Sequence, residues 1–162
     1  MPVAANMWIK NFDSSELKGS VTQKGREGSI EVHAFEHEVR IPTDPHTGAL
    51  TGRRIHEAVK VVKPYDASST YLYKTCCEGL TLAEVKIGWY RIEAGQIDEV
   101  LYFSHLLKNA RITSVKPIMY NVKDLAKERY VHLEEVLLRY ESIEWTYTDG
   151  SLTFVDCWDS NV

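Results

Sequence analysis

The sequence predicts a mainly β protein: an antiparallel β-sandwich or barrel, with one α-helix covering a side and one long extended loop. Three observations predict it. Short runs alternate polar and apolar side chains at period two, as half-buried strands do. Turn signals such as Glu93-Ala94-Gly95-Gln96 and Asp149-Gly150 join successive runs, which means hairpins rather than βαβ crossovers. Only one stretch, Thr70 to Glu78, carries both helix-start and helix-stop chemistry.

The first strand is Met7 to Phe12, and Leu17 to Val21 is the second, with Gly25 and Gly28 as punctuation. Ser29 to Arg40 reads as one strand, with Ile30, Val32 and Ala34 alternating against Glu31, His33 and Phe35. Glu57 to Lys63 is the next. Pro64 stops it, and Ser68 or Ser69 offers an N-cap hydroxyl for the helix, which spans about 69 to 78. Gly79 is placed as its C′ residue. Tyr71, Leu72 and Thr75, with Cys76 beside them, form the face that packs on a sheet. Leu82 to Ile92 and Ile97 to Leu107 form a hairpin, and Asn109 to Ile118 is a separate strand after it. Asn121 to Tyr130 is a polar loop with a short helical turn. Val131 to Tyr140, Ile143 to Thr148 and Leu152 to Trp158 complete about ten strands.

The 162 residues suffice for a single domain, 1–162, with a sizeable core. A charged fraction of 26% and a hydrophobic fraction of 44% indicate a soluble globular chain. The formal net charge of −4 argues against nucleic acid as a partner. No stretch approaches the ~20 apolar residues of a membrane helix, and the N-terminus lacks the pattern of a signal peptide. Cys76, Cys77 and Cys157 are odd in number and suggest buried or half-buried free thiols in a reducing compartment.

Arg40 to His56, RIPTDPHTGALTGRRIH, stands apart. It has no run periodic as a helix or strand, and connections inside domains usually run to roughly 4–6 residues. Asp44-Pro45-His46-Thr47-Gly48 is a turn signal, with Pro45 pre-setting φ and Gly48 supplying φ > 0. The apolar Ile41, Leu50 and Ile55 and the stiff Pro42 and Pro45 argue against disorder. The loop is expected to become ordered against a neighbouring protein surface, with a plain surface Ω-loop as the other reading.

No P-loop, GxGxxG, HExxH or GxSxG is present. His33 and His37, four apart on a strand, lie roughly 13 Å apart and do not share a metal. Glu36/Glu38 and Glu134-Glu135 read as solvated faces. Cys76 and Cys77 sit late in the helix, where the dipole disfavours a thiolate. Lys63 and Lys74 show no sign of activation. No enzyme, cofactor or metal site emerges by elimination.

REGSIEV at 26–32, EH at 36–37, IPTDPHTGALTGRRIH at 41–56, SSTYLYK at 68–74 and HLEEVLLRYESIEWTYTDG at 132–150 resemble the haemolysin-coregulated protein (Hcp) family. These are the tube subunits of bacterial type VI secretion systems. The resemblance runs from Met7 to Trp158. It implies an antiparallel two-sheet β-barrel with one flanking α-helix and a long extended loop, similar to phage tail tube proteins, a homohexamer, and rings stacked into a tube inside a contractile sheath. It also implies a spike at the tip, effectors in the lumen, and export from the bacterial cytoplasm without a signal peptide. The family has no catalytic residues to carry over. It gives the loop a role in contacts between subunits and between rings, which falls here to Arg40, Ile41, Pro42, Thr43, Asp44, Pro45, Gly48, Leu50, Gly52, Arg53, Arg54 and His56. By the same analogy Glu36 is a lumen-facing candidate, whose copies would form a ring of carboxylates. Some members carry C-terminal toxin domains, for which the eleven residues after Ser151 leave no room. The rival reading is a monomeric barrel that binds a small ligand among Trp89, Tyr90, Trp145 and Tyr147.

Overall fold

The computed structural model describes residues 3–95 and 97–158. Chain order is β1 (Ala5–Lys10), β2 (Glu16–Leu17), β3 (Ile30–Val32), β4 (Ala34–Glu36), β5 (Val39–Arg40), β6 (Ile55–His56), β7 (Val59–Pro64), α1 (Ser69–Glu78), β8 (Thr81–Ile92), β9 (Glu99–Ile118), β10 (Leu133–Arg139), β11 (Ser142–Tyr147) and β12 (Leu152–Cys157). A single 3₁₀ turn, Leu125–Lys127, lies in the polar loop before β10.

Pairing runs β1-β8-β9-β10-β7-β4, antiparallel at each step. It then returns to its start, because β3 pairs with β1 (Met7 opposite Ile30, Ala5 opposite Val32). Only His33 separates β3 from β4, and its N–H donates to the Val62 carbonyl at 2.8 Å. The Ile30–Glu36 segment is therefore the seam that closes the barrel. Its alternation flips at His33. Ile30 and Val32 are buried, Ala34 is exposed, and Phe35 packs inward on Trp89 and His105. The expected single strand with Ala34 inside is corrected here: the segment changes partner from β1 to β7 at that residue, and so changes face.

The two strands expected at 97–107 and 109–118 are one continuous strand, β9. Its first half pairs with β11 and its second with β10, while β8 runs along its other edge as far as Arg111. Asn109 adopts φ 50°, and the inward face shifts there from Leu107 to Ala110 and Ile112. Asn tolerates the left-handed region better than most residues, so one strand serves both sheets without a break. Met7, Ile9, Val59, Val61, Val85, Ile87, Val136, Leu138 and Ile143 fill the interior.

Helix α1 lays Leu72 and Thr75 on the barrel, flanked by half-buried Tyr71 and Cys76. Gly79 closes it with φ 63°, its N–H reaching the Cys76 carbonyl. The N-terminus differs from expectation. The Ser68 hydroxyl donates to Asp66 rather than capping, and Ser69 Oγ donates to Glu134 Oε1 at 2.7 Å. Glu134 is fully buried, which overturns its reading as part of a solvated face. The fully buried Lys63 answers it, with Nζ 2.5 Å from Glu134 Oε1 and 2.9 Å from Asp66 Oδ1. The thiols depart too: Cys76 is half-buried, but Cys77 and Cys157 are exposed.

Removing one partner of a buried ion pair costs ~3–5 kcal/mol, whereas replacing both with apolar side chains is far milder. Lys63→Met is accordingly expected to lose most of the folding stability in urea titrations, and Lys63→Met with Glu134→Leu to recover much of it.

A second expectation concerns His105, whose Nδ1 accepts from Trp89 Nε1 at 2.9 Å. Burial, reinforced by the nearby His37, lowers its pKa from 6.5 to about 4. The unfolded chain binds this proton at the higher value and the folded chain only at the lower one. Stability therefore falls as pH drops from 6.5 and levels off below about 4. In His105→Gln, which keeps an acceptor for Trp89, urea midpoints measured across that window should vary less.

Candidate assembly surface

Residues 40–56 form a β-hairpin arm rather than an unpaired loop. Val39 faces His56 and Arg40 faces Ile55 at its base. Further out, Thr51 N–H donates to the Pro42 carbonyl at 2.9 Å, Thr43 bridges Leu50, and Asp44 N–H donates to the Ala49 carbonyl at 2.8 Å. Pro42 takes part only through its carbonyl, so the missing N–H costs nothing. At the tip the Asp44 carboxylate accepts from the N–H groups of His46 at 2.7 Å and Thr47 at 2.9 Å. Those bonds hold its pKa below the usual 3.8. Gly48, at φ 71°, supplies the left-handed residue the turn needs. Strand alternation was hidden in the sequence because the two arms of the hairpin are too short for a period to show.

The arm is fastened at its root. Arg54 holds Asp156 with two bonds, Nε to Oδ2 at 2.5 Å and Nη2 to Oδ1 at 2.7 Å, and reaches the Cys157 carbonyl at 3.2 Å. Buried His56 places Nε2 2.9 Å from Asp156 Oδ2 and Nδ1 2.7 Å from the Tyr140 hydroxyl. The Arg54 bonds, then that of His56, keep Asp156 below its ordinary pKa. Arg139 donates to the His56 carbonyl and lies over Trp158.

Beside the root lies the edge of the β11–β12 hairpin. Among the described residues β12 pairs only with β11. Phe154 is 64% exposed, and Leu152 and Val155 are exposed with it. Val39, Ile41 and Arg54 of the arm line a groove with Trp145, Phe154 and Val155. Leu50, 67% exposed, extends the apolar surface toward the tip. An open strand edge beside an apolar arm is the kind of surface that proteins cover by association.

The remaining predicted residues are placed as follows. Gly52 faces the Pro42 ring, and Arg53 lies exposed on the outgoing arm. Glu36 is exposed on β4 and ion-paired with Lys60 at 2.6 Å, a contact that raises the Lys60 pKa. The four aromatics of the ligand reading fall into separate groupings: Trp89 on Phe35 and His105, Tyr90 under Arg26, Trp145 on Phe154, and Tyr147 near Arg91. Sequence reasoning missed Tyr140, Arg139 and Asp156 as the arm's anchorage. The one signal was a carboxylate in the otherwise uncharged run Leu152 to Cys157.

A closed antiparallel barrel with a lone helix and a projecting hairpin arm defines the class. A family model described as type VI secretion system effector, Hcp, matches residues 7–147. A "Major exported protein" of Pseudomonas aeruginosa is 36% identical over 144 residues, covering 89% of this chain and 83% of the relative. The solved structure of a mutant Hcp1 from E. coli EAEC 042 is 43% identical with a TM-score of 0.86, covering 96% of this chain and 99% of that one. Secreted protein Hcp3 of Pseudomonas aeruginosa is 27% identical with a TM-score of 0.78, covering 97% and 99%. The chain belongs to the Hcp family of type VI secretion system proteins.

Asp156→Asn removes the charge that both Arg54 and His56 engage. Trypsin cleavage after Arg53 and Arg54 at neutral pH should then quicken by roughly fivefold or more, with the barrel's far-UV spectrum unchanged.

Proposed function

We propose that this protein is the structural tube subunit of a type VI secretion system. Six copies close into a ring, and rings stack into the expelled inner tube, with sheath, spike and effector proteins as partners and effectors carried in the lumen. It acts without catalysis. It is made in the bacterial cytoplasm and exported without a signal peptide, a reading that the "Major exported protein" relative supports.

The observation that carries this reading is the arm: a rigid, self-paired hairpin that holds Ile41 and Leu50 out in solvent. A surface loop with no partner has no reason to be so stiff and so apolar. The opposite end of the barrel supports stacking. Val59 and Leu138 lie near the arm's root, whereas Pro64 and Leu133 lie at the far end. There the loop after β9 exposes Met119, Val122 and Leu125, and the β8–β9 turn exposes Ile97 to 96%. Two different apolar surfaces at opposite ends favour a head-to-tail contact, which propagates rather than closes. Ring closure at six needs a separate lateral contact with about 60° of turn per subunit, for which the β12 edge and its groove are the candidate.

Light scattering after size exclusion tests this on the wild type and on a variant lacking Thr43 to Arg53. Arg40 and Ile55, which pair at the arm's base, are both kept, so the deletion shortens the arm without parting its base. A wild-type mass near six subunits, with loss of the ring or of its stacking in the folded variant, is expected. A wild-type monomer at all concentrations overturns the reading.

A further inference from the structure

Behind the arm, side chains from three elements meet at one hydroxyl. His37, between β4 and β5, places Nε2 2.8 Å from Tyr140 Oη, and His56 places Nδ1 2.7 Å from the same oxygen. His56 Nε2 continues the chain to Asp156 Oδ2 at 2.9 Å. Both histidines also lie against Trp145, and His56 against Trp158.

Proton counting decides what this chain tolerates. A tyrosine hydroxyl donates once, and each neutral imidazole has one donor and one acceptor nitrogen. With both rings neutral, Tyr140 donates to one and accepts from the other, while His56 Nε2–H donates to Asp156. With one imidazolium the chain is still satisfied, whichever ring carries the charge: that ring donates to the tyrosine oxygen, and the hydroxyl proton turns to the other. A second proton breaks it. Both nitrogens then point N–H groups at Tyr140, whose own O–H has lost its acceptor. The two rings are 6.5 Å apart, so two cations also repel.

The surroundings do not offset that charge. On the arm, Arg54 already engages Asp156, and from β10 Arg139 adds a cation at the His56 carbonyl and over Trp158. On β9, His105 is near enough to His37 for the two to disfavour each other's charge. Cys157 on β12 lies beside Arg54 through its carbonyl. Asp156 is the carboxylate bonded to this group.

We propose that the His37–Tyr140–His56 chain is an acid-sensitive latch: it fastens the arm at neutral pH and releases it when a second proton enters. The latch regulates the surface assigned above to assembly, and so rests on that reading for its consequence, the loosening of rings or of their stacking in acid. Burial, then the neighbouring His56, lowers the His37 pKa below 6.5. The released arm lifts that penalty and binds the proton more readily, so docking weakens as pH falls below 6.5, the direction a latch of this kind requires.

Hydrogen exchange of peptides spanning 40–56, corrected for intrinsic rates, tests the latch at pH 7.5 and pH 5. In the wild type, arm protection should fall by about tenfold or more at the lower pH, and it should fall as much in His105→Gln, in which the barrel's own acid sensitivity is reduced and peptides of β8 and β9 hold theirs. His37→Gln keeps a polar partner for Tyr140 but does not titrate, and should keep the arm protected at both. Tyr140→Phe removes the shared hydroxyl and should leave the arm exposed at both. Unchanged protection in the wild type or in His105→Gln overturns the proposal, as does a wild-type-like loss in His37→Gln or Tyr140→Phe. Mass by light scattering at pH 7.5 judges assembly separately: a monomer there sinks the ring, and the exchange data still judge the latch.

Discussion

The constraint on which the rest depends is that one strand is shared by two sheets. β9 pairs along one edge with β8 over residues 99–111, and along the other with β11 over 103–108 and then with β10 over 111–118. Backbone groups in a barrel must be paired, so the bend at Asn109 sets where the β11–β12 hairpin leaves and where the barrel continues. The seam at Ile30–Glu36 then closes the circuit. That seam ends at Glu36, beside Lys60 and one step from the arm. The arm's origin is therefore fixed by barrel closure, not by the arm's own sequence.

The arm and its anchorage divide the work. Shape is local: rungs between residues of 42–51, an Asp44 turn and a left-handed Gly48 define the hairpin without help from the barrel. Direction is not local. It comes from Asp156 on β12, Tyr140 after β10, and the two histidines that flank the arm in sequence. A hinge held by charge-assisted bonds and imidazoles differs from one held by apolar packing, because its strength depends on protonation. The arm's rungs are backbone bonds, with Asp44 at the turn held below the usual carboxylate pKa, whereas its fastening consists largely of side chains that titrate.

Much of this was legible in the sequence, for physical reasons that vary by element. Helix α1 was readable because Pro64 and Gly79 act locally and its apolar face repeats at helical spacing, whereas the serines before it bond Asp66 and Glu134 instead of capping it. The β12 hairpin was readable because Asp149-Gly150 encodes its turn in adjacent residues. β9 was misread as two strands since a polar Lys108-Asn109 pair looks like a turn, and only tertiary pairing reveals that Asn109 carries the chain onward. Glu134 was misread since its burial depends on Lys63, 71 residues away. The arm was found as an anomaly of length and composition, yet its hairpin ladder and its anchors were invisible, because Thr51–Pro42 pairing and Arg54–Asp156 pairing have no periodic signature.

The distribution of apolar exposure carries the argument one step further. A barrel that worked alone would gather its apolar residues in the core or around one mouth. Here the interior is filled mostly by aliphatic side chains, and among the described residues apolar surface is concentrated at the arm, the β12 edge with its groove, and the far end around Ile97 and Leu125. Two of these are at opposite ends and the third is on a flank. One partner covering a single face cannot reach all three. A second copy displaced along the barrel axis covers the ends, and a copy rotated beside it covers the flank. Copies in two directions would leave none of the three open, which is what the proposed stacked ring requires of this surface.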